Sequence, residues 1–215
     1  PKAIESCRST ACPHEIIVVD DGSSDGTAEW LAQQADQQSD LVVIRTENWG
    51  KDWAVNTGFA RAQGQYVRFL DSDDWFDDRT GTSTPAELAP TDDFIAQQLG
   101  EGEYSHYSAF LFRRAFIQDI PHRPEFLAVD DRMFVLEVAL RHPKLASYEG
   151  IALVHRHHDR GRLQAPTTMQ AEIPIVRAEH AIYRKVMDRL QSQDEFTERR
   201  KRALAVHRPG AQHRP

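Results

Sequence analysis

The chain has little cysteine, no long apolar run and no excess of positive charge, and each lack removes a class of protein. Its only cysteines, Cys7 and Cys12, lie five positions apart with no second pair among 215 residues. They read as reduced thiols, supporting neither a disulfide framework nor a cysteine zinc site. No apolar stretch approaches the about 20 residues that span a bilayer, and the first residues lack the charged-then-apolar layout of a signal peptide. A cytoplasmic location is therefore expected. The formal net charge of -7 argues against a surface built to neutralise nucleic-acid phosphates, so nucleic acid is not an expected partner.

What is present suits one sizeable core, since 40% of the residues are hydrophobic. Glu15–Asp20 (EIIVVD) is a short apolar run rich in β-branched residues and closed by DDGSSDG, the signature of a strand buried on both faces and ending in a turn. Asp25–Gln37 then reads as a helix and Leu41–Arg45 as a second strand. Lys51–Gln63 reads as a helix with Trp53 and Ala54 facing inward, and Tyr66–Leu70 as a third strand. Strand, helix, strand, helix, strand implies parallel pairing. Pro1–Thr10 looks like a helix entered midway, followed at once by a strand that needs neighbours, so a segment N-terminal to this sequence is expected.

Further on, Phe76–Gly102 is rich in Asp, Thr, Gly and Pro, with a short helical stretch near Asp92–Leu99. Strands are expected over Ala109–Arg113 and Ala146–Val154, and a helix over Asp130–Arg141 with Met133, Phe134, Leu136, Val138 and Leu140 apolar. From Thr168 to Leu190 apolar residues recur at helical spacing (Met169, Ile173, Val176, Tyr183, Val186, Met187, Leu190), and a basic run, Arg199–Arg202, follows.

In open sheets of this kind ligands bind beyond the carboxyl ends of the strands. Two of those ends are acidic: Asp20-Asp21, and Asp71-Ser72-Asp73-Asp74. Like charges this close repel unless a cation neutralises them, and two aspartates separated by one residue can share one hard cation. The cluster therefore suggests a metal.

Read in order, EIIVVDDGSSDGT at Glu15–Thr27 and ENWGKDWAVNTGFARAQGQYVRFLDSDDW at Glu47–Trp75 resemble glycosyltransferase family 2, whose run is VDDGSxDGT, then NxGxxxAxNxG, then a strand ending DxDD. Asn48, Gly50, Ala54, Asn56 and Gly58 stand at the matching places. The resemblance implies an α/β fold of the GT-A-like, nucleotide-diphospho-sugar transferase type, with a mixed, mostly parallel sheet flanked by helices and C-terminal helices. It divides the chain into a catalytic domain over 1–165 and a helical extension over 166–215. The stretch between Trp75 and Phe110 is shorter than the family's by about one helix and one strand, and AVDDRMF at Ala128–Phe134 matches its usual Glu-Asp pair with Asp130 in place of Glu.

Carried over, the resemblance implies that Asp20 and Asp21 lie beside the base and ribose, with Asp25 supporting the turn. Asn48, Lys51, Asn56, Asp71, Ser72 and Arg156 join them in binding the nucleotide sugar. Asp71, Asp73 and His158 hold Mn²⁺ or Mg²⁺, and Asp131 is the catalytic base. Arg156 and His158 come from HRHHDRGRL (His155–Leu163), which resembles the family's RxHxxSxS with Gly161 and Leu163 departing. The implied activity is inverting, metal-dependent transfer from a nucleoside-diphosphate sugar, with UDP favoured, to a carbohydrate or lipid-linked acceptor. The basic run could place the protein at the inner face of a membrane. A receiver-like phosphoacceptor domain fails because FLDSDDW is an acid cluster and no matching lysine follows. A dinucleotide-binding domain fails on the spacing of Gly50, Gly58 and Gly64. A nucleotide-sugar-binding module without catalysis stays open.

Overall fold

The computed structural model describes residues 2–8, 12–76, 91–102, 106–146, 154 and 168–206. In chain order its elements are α1 (Lys2–Cys7), β1 (Ile16–Asp21), α2 (Thr27–Gln37), β2 (Leu41–Thr46), α3 (Lys51–Arg61), β3 (Tyr66–Val67), α4 (Phe94–Gln98), β4 (Phe112–Arg113), α5 (Arg114–Ile117), α6 (Asp130–Ala139), α7 (Met169–Ser192) and α8 (Glu198–Val206). Short 3-10 turns lie at Tyr107–Ala109 and Pro124–Val129. The chain groups into two compact units: Pro1–Ser83 with Ser108–Pro124 and Ile151–Arg156, and Thr84–Tyr107 with Glu125–Gly150 and His157–Pro215. The mixed α/β class read from the sequence is the class observed.

In the first unit β1 and β2 pair in parallel from Ile16 opposite Leu41 to Asp21 opposite Thr46. Their β-branched side chains suit the pleated surface, and Ile4, Ile16, Leu31 and Leu41 form a small core beneath Trp30, Val18 and Val43. Helix α3 lies on β1 at Gly58, where an added Cβ would stand 3.2 Å from Val19 Cγ2. Glu15 Oε1 accepts the backbone N–H groups of Gln63 (2.7 Å) and Gly64 (2.8 Å), fixing the exit of the helix beside the start of β1.

Four local expectations change. Among the described residues β1 has one hydrogen-bonded neighbour, so Ile16 and Asp20 are buried while Ile17, Val18 and Val19 are half-buried. The third strand is only Tyr66–Val67, paired antiparallel with β4. Beyond it Arg68 leaves the ladder, its Nε donating to the Ser108 carbonyl at 2.9 Å and its guanidinium lying 3.8 Å from the Phe76 ring, while Phe69 turns into a cluster with Phe59, Phe112 and His122. The strand expected over Ala109–Arg113 likewise shrinks to Phe112–Arg113, because the chain turns into α5 at Arg114. Trp53 is 52% exposed rather than inward, since it lies roughly 140° round the helix from the sheet-facing Gly58. Of the segment Ala146–Val154, Val154 forms an antiparallel bridge with Trp75; residues 147–153 lie outside the described residues.

The described residues of the second unit are mainly helical. Asp93 caps α4 by accepting the Ala96 N–H at 2.9 Å. Ile95 and Leu99, Met133 and Leu136 of α6, Ile182, Val186 and Leu190 of α7, and Ala203 of α8 share one core. On α7 the buried seam runs Ala178, Ile182, Val186, Leu190, while Ile173 is 43% exposed. Buried Glu137 meets Arg189 at 3.0 Å and Lys185 at 3.6 Å, fixing α6 against α7. The basic run is also engaged: Arg199 pairs with Asp92 and Glu101, Arg200 with Asp93 and Glu195, and Lys201 with Glu198. Among the described residues no helix is long and apolar enough to cross a membrane.

Candidate active site

The carboxyl ends of β1 and β2 are joined through the side chains of the DD pair. Asp20 is 4% exposed. Its Oδ1 accepts the Ser23 N–H at 3.0 Å and closes the turn, while Oδ2 has no hydrogen bond and lies 3.7 Å from Arg45 Nε. Asp21 Oδ1 accepts from Thr46 Oγ1 (3.0 Å) and the Trp49 N–H (2.9 Å), and its Oδ2 accepts the Gly50 N–H at 2.7 Å. Burial works against its charge, but the hydrogen bonds from Trp49, Gly50 and Thr46 outweigh it and hold the carboxyl below the ordinary aspartate value. Between the pair and the second loop sits Gly22, with φ +79° and an added Cβ only 2.9 Å from Asn48 N. Glycine is required there on both counts.

Asp25 Oδ1 accepts the Thr27 N–H at 3.1 Å at the start of α2, and its hydrogen bonding with Thr27 lowers its pKa. Asn48 is exposed on the loop that Asp21 holds. Asn56 faces elsewhere: its Nδ2 donates to the His122 carbonyl and its Oδ1 accepts the His122 N–H, both at 2.8 Å. This reciprocal clamp commits the amide to fixing the 122 segment beside α3.

The acid cluster follows the abandoned third strand. The Asp74 N–H donates to the Asp71 carbonyl at 3.1 Å, a turn that gathers the side chains. Asp71, Asp73 and Asp74 each offer a carboxylate oxygen within 4.8 Å of the others. Asp74 is 1% exposed and Ser72 is exposed. Lys51, the first residue of α3, places Nζ 2.7 Å from Asp71 Oδ1 and 2.9 Å from Oδ2. One connected path thus runs from β1 through Asp21, Gly50 and Lys51 to Asp71. Three hard oxygen donors so close fit Mg²⁺ or Mn²⁺ and do not fit a soft-ligand metal.

The sequence names Asp71 and Asp73 for the metal and omits Asp74, which the turn brings to the same place; the adjacent acid in the run Asp71-Ser72-Asp73-Asp74 was the available signal. Asp131 belongs to the second unit, on the first turn of α6, where Oδ1 accepts the Arg132 N–H at 2.7 Å; its neighbour Asp130 is 2% exposed. Arg156 and His158 lie outside the described residues.

In the class of open α/β sheets, ligands bind beyond the carboxyl ends of the strands, and here those ends carry linked carboxylates. Within that class, residues 1–83 match the family described as Glycosyl transferase family 2, and the likeness read from the motifs holds over this segment. The chain is 34% identical over 134 residues, 60% of its length, to a Bacillus subtilis (strain 168) protein provisionally named teichuronic acid biosynthesis glycosyltransferase TuaG, and spans 50% of that protein. Against an undecaprenyl-phosphate 4-deoxy-4-formamido-L-arabinose transferase of Serratia proteamaculans (strain 568) it is 40% identical over 70 residues, 32% of this chain and 22% of that one. The chain thus spans half or less of these relatives. Among solved structures, S. aureus TarS 1–349 in complex with UDP is 20% identical with a TM-score of 0.48, over 65% of this chain and 50% of that one.

Proposed function

We propose that the chain is the donor-binding and catalytic part of a GT-A-like inverting glycosyltransferase, which moves a sugar from a nucleoside diphosphate, with UDP preferred, to an acceptor hydroxyl. The observation that carries this is the gathering of Asp71, Asp73 and Asp74 with Lys51 next to the Asp20–Asp21 turn, within the segment that matches the family. Asp71 and Asp73, with His158, would hold the divalent cation. Bound there, it would supply Lewis-acid neutralisation of the departing diphosphate.

The chain's own residues do the rest. Asp20 and Asp21 would lie beside the base, where a carboxylate can accept the N3 proton of uracil; the Asp20 side chain is buried, its Oδ2 3.7 Å from Arg45 Nε, so Asp20 reaches the base only if the turn opens. Asp21 works through the loop it holds, aiming Asn48 and Lys51. Asp25 secures the turn, Ser72 is exposed beside the carboxylates, and Arg156 would join them in binding the nucleotide sugar. Asn56 serves by clamping the backbone at His122. Asp131 takes the proton of the acceptor hydroxyl as its oxygen bonds to the anomeric carbon and the bond to the diphosphate breaks, inverting that carbon. No covalent glycosyl-enzyme is needed.

The names of the relatives favour a carbohydrate or lipid-linked acceptor. Membrane contact through Arg199–Arg202 would compete with acids of the same unit, because Arg199 and Arg200 already pair with Asp92 and Asp93. With a lipid-linked acceptor the protein acts at the cytoplasmic face of a membrane; otherwise it acts in the cytoplasm. Titration calorimetry of UDP with and without Mn²⁺ tests the site. The parent should bind UDP in a Mn²⁺-dependent way and Asp73→Ala should lose that dependence. Equal binding by the two proteins would remove the metal assignment.

A further inference from the structure

The Lys51–Asp71 pair sets a cation on a carboxylate that the proposed function gives to another cation. Lys51 Nζ contacts both oxygens of Asp71, at 2.7 and 2.9 Å, so one ammonium spans the whole carboxylate. Asp73 and Asp74 stand within the same 4.8 Å group, and a positive charge there offsets the mutual repulsion of three acids. We infer that Lys51 is an internal counter-cation that couples the two parts of donor binding: it occupies Asp71 while nucleotide is absent, transfers to the diphosphate when nucleotide arrives, and so frees Asp71 for the divalent ion. The inference rests on the metal and nucleotide reading above.

Three features support the exchange. The side chains of Lys51 and Asp71 are 41% and 30% exposed, and ion pairs this exposed are weak, so the pair holds the site without locking it. A divalent ion on Asp71 would put two positive charges beside the ammonium, and repulsion between them opposes metal binding unless Lys51 leaves. A diphosphate gives the ammonium a partner of higher charge. The backbone before Lys51 stays put during the exchange, because Asp21 accepts the N–H groups of Trp49 and Gly50; only the flexible lysine stem moves. Coupling of this sort is reciprocal: nucleotide tightens metal by the same factor that metal tightens nucleotide.

The test is Mn²⁺ binding by electron paramagnetic resonance, with and without UDP, on the full chain, Lys51→Met and Lys51→Arg. Lys51→Met should bind Mn²⁺ alone roughly three- to tenfold more tightly than the parent, and the factor by which UDP strengthens Mn²⁺ binding should shrink to what the diphosphate's own attraction for the ion supplies. Lys51→Arg keeps the charge and should retain most of the parent's coupling, whereas a purely packing role for the stem would leave Met and Arg alike. If Lys51→Met binds Mn²⁺ alone no more tightly than the parent, while the parent still binds Mn²⁺ with UDP, this inference is overturned and the proposed function stands. If Met and Arg shift binding alike, charge is not the cause and the inference also falls. If the parent binds no Mn²⁺ even with UDP, the proposed function fails and this inference with it.

Discussion

Alanine at Gly22 should cost more than alanine at Gly26, although both glycines have φ near +80 to +90° (+79° and +88°). The left-handed conformation costs an L-residue about 1–2 kcal/mol, and the stiffer unfolded chain returns about 0.4–1 kcal/mol, a net loss of about 1 kcal/mol at either site. At Gly26 nothing lies within 4 Å of an added Cβ, so the cost ends there. At Gly22 the Cβ would stand 2.9 Å from Asn48 N and 3.2 Å from Asn48 Cβ. Backbone cannot swing aside as a side-chain tip can, and overpacking of this kind adds about 1–3 kcal/mol. Urea denaturation should therefore show a loss of about 2–4 kcal/mol for Gly22→Ala against about 1 kcal/mol for Gly26→Ala. The strain pushes the 46–50 loop from β1 and moves Lys51 with it, so Gly22→Ala should also weaken UDP binding while Gly26→Ala leaves it near parental. Equal losses in the two variants would refute the close approach of the loops.

Asp21→Asn places an amide donor against the Gly50 N–H, so stability should fall at neutral pH. Because folding lowers the Asp21 pKa, the parent's advantage is full above the ordinary aspartate value and disappears as pH falls through the folded one; denaturation midpoints from pH 7 to pH 2 that keep a constant gap would contradict this. Asp131→Asn should lower transfer by roughly 10² to 10⁴ with UDP affinity near parental, and Asp130→Asn should do less; full turnover in Asp131→Asn beside an inactive Asp130→Asn would move the base by one residue. UDP should compete for the site better than CDP by a modest factor, because a carboxylate of the Asp20–Asp21 pair can accept the N3 proton of uracil, which cytosine lacks, and equal competition would remove that argument.

Much of this was legible in the residues because it depends on short-range patterns. EIIVVD and LVVIR declare strands by β-branched content, and the intervening helix forces parallel pairing, as found. Asp71 and Asp73 could be paired from spacing alone. What was hidden depends on distant partners. Nothing near Tyr66–Leu70 announces that Arg68 bonds Ser108 or that Phe69 joins Phe112 and His122, which ends the strand at Val67. Asn56 looks like a ligand contact because it stands in a motif, yet its partner is backbone 66 positions away. On α7, Ala178 is too small to mark a buried seam by hydrophobicity, and Ile173 marks one where none exists. The basic run suggested an outside anion, but the acids that pair with it, Asp92, Asp93 and Glu101, come from about 100 positions earlier.

The most direct measurement of the central claim is thermal unfolding of the chain against a panel of nucleotide sugars, each with Mn²⁺ and with a chelator. A ligand at about 100 times its Kd adds roughly 2.7 kcal/mol to the folded state. Tm should rise clearly for at least one UDP-sugar with Mn²⁺, as metal-dependent donor binding requires, and the rise should disappear when the chelator replaces the metal. Stabilisation that survives the chelator unchanged, or a panel in which no nucleotide sugar raises Tm, would contradict it.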